Sequence, residues 1–553
     1  MEKVLFIVPP AVKYEEFINP DYNIGTLIKK NGSFANVLTE MPLGILSMSA
    51  YLKDQASVET KLIDFNVILN KIDPFKHQSF REMFAEYLEA LDYEPTVIGI
   101  SSLFTPSYQS LLDIARCCKK RFCQSLIVAG GGIPTNMYRN IFEASKDFDA
   151  LCFGEGELPL LGLIKAKDKR DFLEEHHSWI TRKKSDDGST FDYCYIENLD
   201  DIPFLDYELI DKDDYGLNPL ISTYAGVENR RMSFHVMTSR GCPHHCCFCA
   251  SHSIHGRRMR FYSLDRVRED FTRLKNQFQA QTFIFQDDHL ANIKQRTLKI
   301  LDMIKDLKVT AIFQNGIALY TLERELLEAY KNVGVNQMVL AVESGSERVL
   351  KEIIHKPLQL DIVKRVADDC RDLDIYTDVN ILIGFPGENK HDIDEARCFL
   401  KSINANWFRV VVATPLVGSE MFRICVDKGY LKHGHVDSNY KKAVIDTEDF
   451  TAEWIQETAY LLNLELNFVH NSDMKFGRYQ IALKGFANAL RAKPDHAFAF
   501  YYSSACYAKM GNTSAAKQSL DSAKAIVSKD SRWKKYFDHF ELGWFDYNLI
   551  TAR

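Results

Sequence analysis

Three cysteines constrain this chain more than any other feature. In residues 238–250 (TSRGCPHHCCFCA), Cys242, Cys246 and Cys249 are spaced C-x3-C-x2-C. Iron–sulfur clusters are normally held by four Cys thiolates, so three in one short loop can bind three irons of a four-iron cluster and leave the fourth for a ligand that is not protein. The fold must therefore converge three side chains on one point and keep an open position beside it. Zinc is the competing reading, because His244 and His245 lie in the same loop. Structural zinc takes four ligands, usually from two separated pairs, and no second C-x2-C stands elsewhere in the chain. Cys247 is an additional thiol whose expected role is packing.

The 553 residues predict three or four domains. Net charge is −7, and Lys and Arg are scattered rather than blocked, so no nucleic-acid footprint is expected. Residues 1–10 (MEKVLFIVPP) read as a first strand rather than a signal peptide, and no stretch reaches the length of a membrane span. Thirteen cysteines without a paired framework suit a reducing, cytoplasmic compartment.

Over residues 1–165, apolar runs at 3–8, 59–65, 97–101, 125–129 and 150–153 alternate with helical segments. That is the pattern of an α/β layer with a doubly wound, Rossmann-like parallel sheet. Three of the loops that follow these runs are rich in small or polar residues: Ser101, Ser102 and Thr105; Gly130, Gly131 and Gly132; and Gly154, Glu155 and Gly156. In such sheets ligands bind at the carboxyl ends of the strands, where glycine admits close approach. The G-x-G-x-x-G dinucleotide fingerprint is absent. Residues 166–225 read as a connector with turn-forming clusters. From 226 to 425 strands and helices alternate again, which suits a partial or complete βα barrel with its chemistry at the carboxyl strand ends. Those ends carry Asp287 and Asp288, Glu343 and Ser344, the run NILIGFPGE (380–388) and the run ATPLVGSEMF (413–422).

Taken in order behind the three-Cys loop, these elements resemble the radical S-adenosylmethionine (radical SAM) enzymes. The upstream AGGGIPT, FGEGE and MPLGILSMSAYL runs are similar to the branch with an N-terminal cobalamin-binding domain. The resemblance covers roughly residues 1–425. It implies a 4Fe-4S cluster on Cys242, Cys246 and Cys249, with S-adenosylmethionine chelating the open iron. It places Phe248 near the adenine, Asp287 and Asp288 near the amino group, and Glu343 and Ser344 on the ribose or methionine carboxylate. Gly384 and Pro386 would help to seat the adenosine. Ser101, Ser102, Thr105, Gly130, Gly131, Gly132, Gly154 and Glu155 would hold cobalamin. Two departures stand out: no D-x-H-x-x-G motif supplies a His beneath cobalt, and Asn380 replaces a family glycine.

The activity so implied is C-methylation of an unactivated carbon in a small-molecule or peptide substrate, with an electron donor such as flavodoxin or ferredoxin. A close variant cyclises or rearranges its substrate without methyl transfer. A reading of another class is a metal-stabilised scaffold or binding protein. A methylthio-transferring relative would need a second cluster on cysteines such as Cys117, Cys118, Cys123 and Cys152. No catalytic side chain is assigned, although Phe313, Gln314, Asn315, Tyr320, Tyr376 and Asp378 are candidate barrel-lining residues.

The last part differs in kind. Gly477, Ala482, Phe486 and Ala489 recur 34 residues later as Gly511, Ala516, Leu520 and Ala523. This is the period of tetratricopeptide helix pairs. The expected organisation ends with a helical linker over 426–470 and an all-α repeat segment over 471–553, which could bind a protein partner.

Overall fold

The computed structural model describes residues 1–20, 26–215, 232–313, 315–432 and 442–546. Gln314 and the expected boundary at 225/226 lie outside the described residues.

The first layer is built on β1 (Glu2–Val8), β4 (Val58–Asp64), β5 (Val97–Ser101), β6 (Leu126–Gly130) and β7 (Ala150–Cys152). Their spatial order is β4-β1-β5-β6-β7, all parallel. Strand side chains alternate between faces, and the cores record it. Val4 and Phe6 enter one apolar cluster while Leu5 and Ile7 enter another. The first of these clusters runs on without a break into the second layer, through residues such as Tyr207, Phe234 and Phe271.

Two features were not legible in the apolar runs. A short hairpin, β2 (Thr26–Lys29) with β3 (Gly32–Ala35), is inserted after β1. In addition β8 (Trp179–Ile180) pairs antiparallel with β7, so the sheet continues into the segment read as a connector.

The second layer begins with β9 (Ser233–Val236), and the chain breaks before β10 (Ser239–Arg240), which pairs antiparallel with β11 (Arg260–Phe261). The parallel strands β9, β12 (Thr282–Phe285) and β13 (Thr310–Phe313) form one sheet in the order β13-β12-β9. A second has the order β14 (Gln337–Glu343), β15 (Tyr376–Ile383), β16 (Trp407–Val412). An isolated parallel bridge, Ile317 to Leu340, connects them.

The exposed edge of β16 is covered by side chains rather than by another strand. Asn463 accepts from the Val410 N–H (3.1 Å) and donates to the Val410 carbonyl (2.6 Å). Asn467 repeats the pattern at Phe408 (2.7 and 2.8 Å). Four residues apart on a continuous helical stretch, the two amides lie on one face and satisfy alternate edge residues. The helices Tyr479–Ala492, Ala497–Lys509, Thr513–Lys529 and Ser531–His539 follow. Ala482, Phe486, Ala516, Leu520 and Ala523 are buried between them. At Gly485 a Cβ would sit 2.8 Å from the Trp407 ring, so the missing side chain lets the first helix lie on β16. No described helix is long and apolar enough to cross a membrane.

Candidate functional site

The three-Cys loop leaves β10 through Gly241, whose φ of +90° and a Cβ position 2.5 Å from the Arg258 carbonyl both require glycine. The loop is anchored at its centre. The Cys247 N–H donates to the Ile354 carbonyl (2.9 Å), the Cys247 carbonyl accepts from the Met421 N–H (2.8 Å), and the Cys247 side chain is buried beside Val349, Phe385 and Met421. Cys242, Cys246 and Cys249 remain half-buried. Burial, with the neighbouring thiols and Asp288 adding to it, pushes Cys242 up to about 11. Clustered thiols without a cation resist ionisation, and a bound metal reverses that preference.

Among the described residues, only His176, His177 and Cys194 bring three ligand atoms within 4.8 Å of one another. There the two imidazoles stack, and His176 Nδ1 already accepts from the Ser178 N–H. The thiols of Cys242, Cys246 and Cys249 are more widely spread, whereas a tetrahedral zinc ion would draw its sulfurs to about 3.8 Å. A single-ion site is not pre-formed; the wider spacing suits a cluster. Cys117, Cys118 and Cys152 are buried and Cys123 is exposed, with no second convergent site among them.

The two carboxylates after β12 separate sharply. Asp287, expected near the S-adenosylmethionine amino group, is 4% exposed and turned inward. It accepts from the Thr238 N–H (3.0 Å), Thr238 Oγ1 (2.8 Å) and Ser239 Oγ (2.6 Å), holding the break between β9 and β10. That corrects the expectation for Asp287. Asp288 accepts from the Gly241 N–H at the root of the Cys loop (3.2 Å) and lines the main cavity.

Glu343 ends β14 beside a register shift, with φ +70°. A non-glycine residue there signals a side chain aimed by its surroundings. Its carboxylate pairs with Lys356 (3.1 Å), and both groups lie near Cys246. Sequence reasoning missed Lys356. Ser344 is buried and accepts from the Ser346 N–H (3.2 Å). In the 384–388 turn, Gly384 has φ +92°, and the Gly384 and Phe385 N–H groups both donate to Glu388 Oε2 (2.6 and 3.1 Å). The turn, which includes Pro386, meets the Cys loop where Phe248 and Phe385 lie 6.1 Å apart.

A cavity of about 450 Å³ opens where the carboxyl ends of the first sheet face the second layer. Ser101, Gly130, Gly131, Gly154 and Glu155 line it, together with Thr238, Gln286 and Asp288 from the other side. Ser102, Thr105 and Gly132 do not. Ser102 is buried, bonded to Ser107 Oγ (2.7 Å), and Thr105 is buried as well. Gly131 and Gly132 are explained by loop packing, since their Cβ positions fall 2.5 and 2.7 Å from the Ser102 and Leu103 carbonyl oxygens. Leu38, Leu103 and Phe104 are large apolar side chains left 38, 55 and 52% exposed, and all three face the cavity. A broad, largely apolar ligand such as a corrin ring fits that surface, which brings no imidazole from the sheet itself.

Between the layers lies a charge cluster invisible in any local motif. Arg240 donates to Glu155 Oε2 (2.9 Å), Glu157 Oε1 (2.8 Å) and Ser47 Oγ (3.1 Å). Arg260 donates to both oxygens of Glu155, and His255 Nδ1 lies 2.7 Å from Glu155 Oε1. Burial alone would raise Glu155, but the charge of Arg240 and the hydrogen bonds from His255 and Arg260 outweigh it and hold the carboxyl well below its usual range. Glu155 is therefore a strut between the layers rather than a free ligand contact.

Residues 236–400 match the Radical SAM superfamily and residues 37–164 match the B12 binding domain. Cytidylyl-2-hydroxyethylphosphonate methyltransferase of Streptomyces wedmorensis is 24% identical over 406 residues, spanning 68% of this chain and 76% of that protein. An anaerobic magnesium-protoporphyrin IX monomethyl ester cyclase of Cereibacter sphaeroides is 22% identical over 385 residues, 68% of this chain and 58% of that one. Among solved structures, the cobalamin-dependent S-adenosylmethionine radical enzyme OxsB, with aqua-cobalamin and S-adenosylmethionine bound, superposes with a TM-score of 0.61 at 14% identity, covering 100% of this chain and 82% of that one. The chain thus joins a radical SAM domain to a B12-binding domain, and these two domains imply a 4Fe-4S cluster, S-adenosylmethionine and cobalamin as its cofactors.

Proposed function

We propose that this enzyme methylates carbon in a small molecule, with Cys242, Cys246 and Cys249 as the cluster ligands. The observation that carries the reading is one cavity that meets the carboxyl ends of both strand sets and is bounded by Asp288, whose carboxylate holds the root of the Cys loop. When bound, the cluster supplies the electron that cleaves S-adenosylmethionine, and the corrinoid carries the methyl group. Asp288 is placed to accept from the ammonium of S-adenosylmethionine, and the Glu343–Lys356 pair offers one charge of each sign near its carboxylate and ribose. Phe248 and the 384–388 turn close the adenine side. Leu38, Leu103 and Phe104 form the apolar bed for the corrinoid and exclude water from it.

The six parallel strands β9 and β12–β16 are read as a partial βα barrel. Residues 1–165 with β8 form the cobalamin domain, residues 226–425 the radical SAM core, and the helices after 471 a tetratricopeptide-like cap. A flavodoxin- or ferredoxin-type donor is the electron source the chemistry requires. The cyclase relative keeps a second reading alive, in which the same cofactors rearrange a substrate without methyl transfer.

The test is anaerobic purification with iron, sulfide and hydroxocobalamin, followed by metal and corrinoid counts and incubation with methyl-labelled S-adenosylmethionine. Four irons and one corrinoid are expected, with the irons lost and the corrinoid kept in Cys242→Ala/Cys246→Ala/Cys249→Ala. Zinc in place of iron would sink the enzyme reading. Substrate turnover without incorporated label would select the rearrangement.

A further inference from the structure

One carboxyl on the cavity wall has nothing to hold. Asp64 accepts from the Asn66 N–H (2.9 Å) and from Tyr215 Oη (3.0 Å), Glu155 and Glu157 are tied to arginines, Asp270 pairs with Arg266 (2.8 Å), and Asp288 takes the Gly241 N–H (3.2 Å). Glu40 lines the same cavity yet forms no hydrogen bond or ion pair with any described residue. It sits on the segment between β3 and the helix Leu43–Gln55, beside the exposed Leu38 and inside the span that matches the B12 binding domain. That helix leads from the end of the β1 hairpin insertion to β4, so its amino end lies at the carboxyl edge of the sheet.

We propose that Glu40 recognises a primary carboxamide on the rim of the corrinoid, pairing edge to edge with its N–H and C=O; the assignment rests on the cobalamin reading above. A half-buried polar group without a partner is costly unless the ligand completes it, and the apolar surroundings of Glu40 offer no cation. Burial pushes its carboxyl up, toward the protonated form, which carries one O–H donor and one C=O acceptor on a single edge. A primary amide presents the complementary pair, N–H beside C=O. A substrate group is the less suitable occupant, because Glu40 stands on the sheet side with Leu38 and Leu103, across the cavity from Gln286 and Asp288.

The test is an absorbance titration of hydroxocobalamin into the full chain carrying its iron–sulfur cluster. Glu40→Gln keeps a donor and an acceptor on the same edge and should bind within about twofold of wild type, whereas Glu40→Ala should bind about tenfold more weakly. A second measurement varies the ligand. In a set of cobalamin monocarboxylic acids, each with a different peripheral carboxamide hydrolysed, one isomer should lose about tenfold against wild type, and Glu40→Ala should no longer distinguish it. Equal affinity in wild type and Glu40→Ala would overturn the assignment, and so would equal loss in both variants or an isomer series that wild type binds uniformly. Failure of wild type to take up any hydroxocobalamin would instead sink the cofactor reading, and Glu40 with it.

Discussion

Two stretches of one cavity wall treat charge in opposite ways. Along the seam between the layers, Arg240, Arg260, Glu155, Glu157 and His255 are joined in a largely buried network, in which Arg240 Nε is buried without a hydrogen-bond partner. At the bed formed by the loops after β3 and β5, Leu38, Leu103 and Phe104 are exposed and Glu40 has no partner among the described residues. The charges of the seam find opposite partners within the protein, while the bed leaves apolar surface open to a ligand. Polar groups that must position a cofactor are locked before it arrives, and the surface that contacts it is left unfinished.

The largest expected effect comes from breaking the seam. Removing one partner of a buried ion pair strands the other charge in a low-dielectric setting, at a cost of about 3–5 kcal/mol. Arg240→Met leaves Glu155 with Arg260 and His255 but strands Glu157, and should lower the unfolding free energy of the cofactor-free chain by that amount, read as a lower denaturation midpoint. Arg240→Met with Glu157→Leu should recover much of the loss, because the uncompensated carboxylate is gone. A single variant as stable as wild type would mean that the seam is not a lock.

Glu388 shows what a buried carboxyl does without a cation in its first contacts. It is fully buried with Oε1 unpaired, and burial raises it from 4.5 to about 7 despite the Phe385 and Gly384 N–H groups. A folded-state value above the unfolded one favours the protonated form in the native chain. Its contribution to stability is therefore complete below about pH 4.5 and is lost as the pH rises to about 7. Glu388→Gln, which keeps an acceptor for both N–H groups, should match wild type at about pH 4 and exceed it at pH 8 by on the order of 3 kcal/mol. A stability difference between the two proteins that does not change with pH would refute this account.

The Asp287 and Asp288 pair carries the contrast between lock and ligand surface into adjacent residues. Asp287→Ala leaves the buried Thr238 and Ser239 donors unpaired and should cost about 1–3 kcal/mol. Asp288→Ala should leave the midpoint nearly unchanged and weaken S-adenosylmethionine binding, read by titration into the cluster-loaded enzyme. If both variants behave alike, the division of labour fails.

That pair also marks the limit of what the sequence could reveal. The Cys spacing, the alternating runs of β1 and β4–β7 and the GFPGE turn are local patterns, and local periodicity specifies them. Whether Asp287 or Asp288 faces the ligand depends on where one loop turns, and two neighbours on a turn point in different directions with no periodicity to read. The Arg240 network joins residues 85 and 83 positions apart along the chain, a distance at which a single sequence carries no pairing signal. Close approach is the one property that glycines at 131 and 132 make visible in the sequence; both admit a neighbouring loop, and Gly131 alone of the two also lines the cavity. Lys356 gave no warning, since an isolated lysine in a short segment between two helices is ordinary.

The smallest effect on stability, and the sharpest on the comparison, is expected at Leu103. Its side chain is 55% exposed in the ligand-free chain, so little apolar area is returned to water on unfolding when it is replaced. Leu103→Ser should change the unfolding free energy by less than about 0.5 kcal/mol without corrinoid. The same change removes apolar contact area from the bed, and at roughly 25 cal/mol per Å² a loss of some tens of Å² weakens binding several-fold. The thermal shift produced by saturating hydroxocobalamin should therefore shrink in Leu103→Ser while the unliganded midpoint stays in place. A fall in the unliganded midpoint as large as that of Arg240→Met would place Leu103 in the lock, and the distinction between a finished seam and an unfinished bed would collapse.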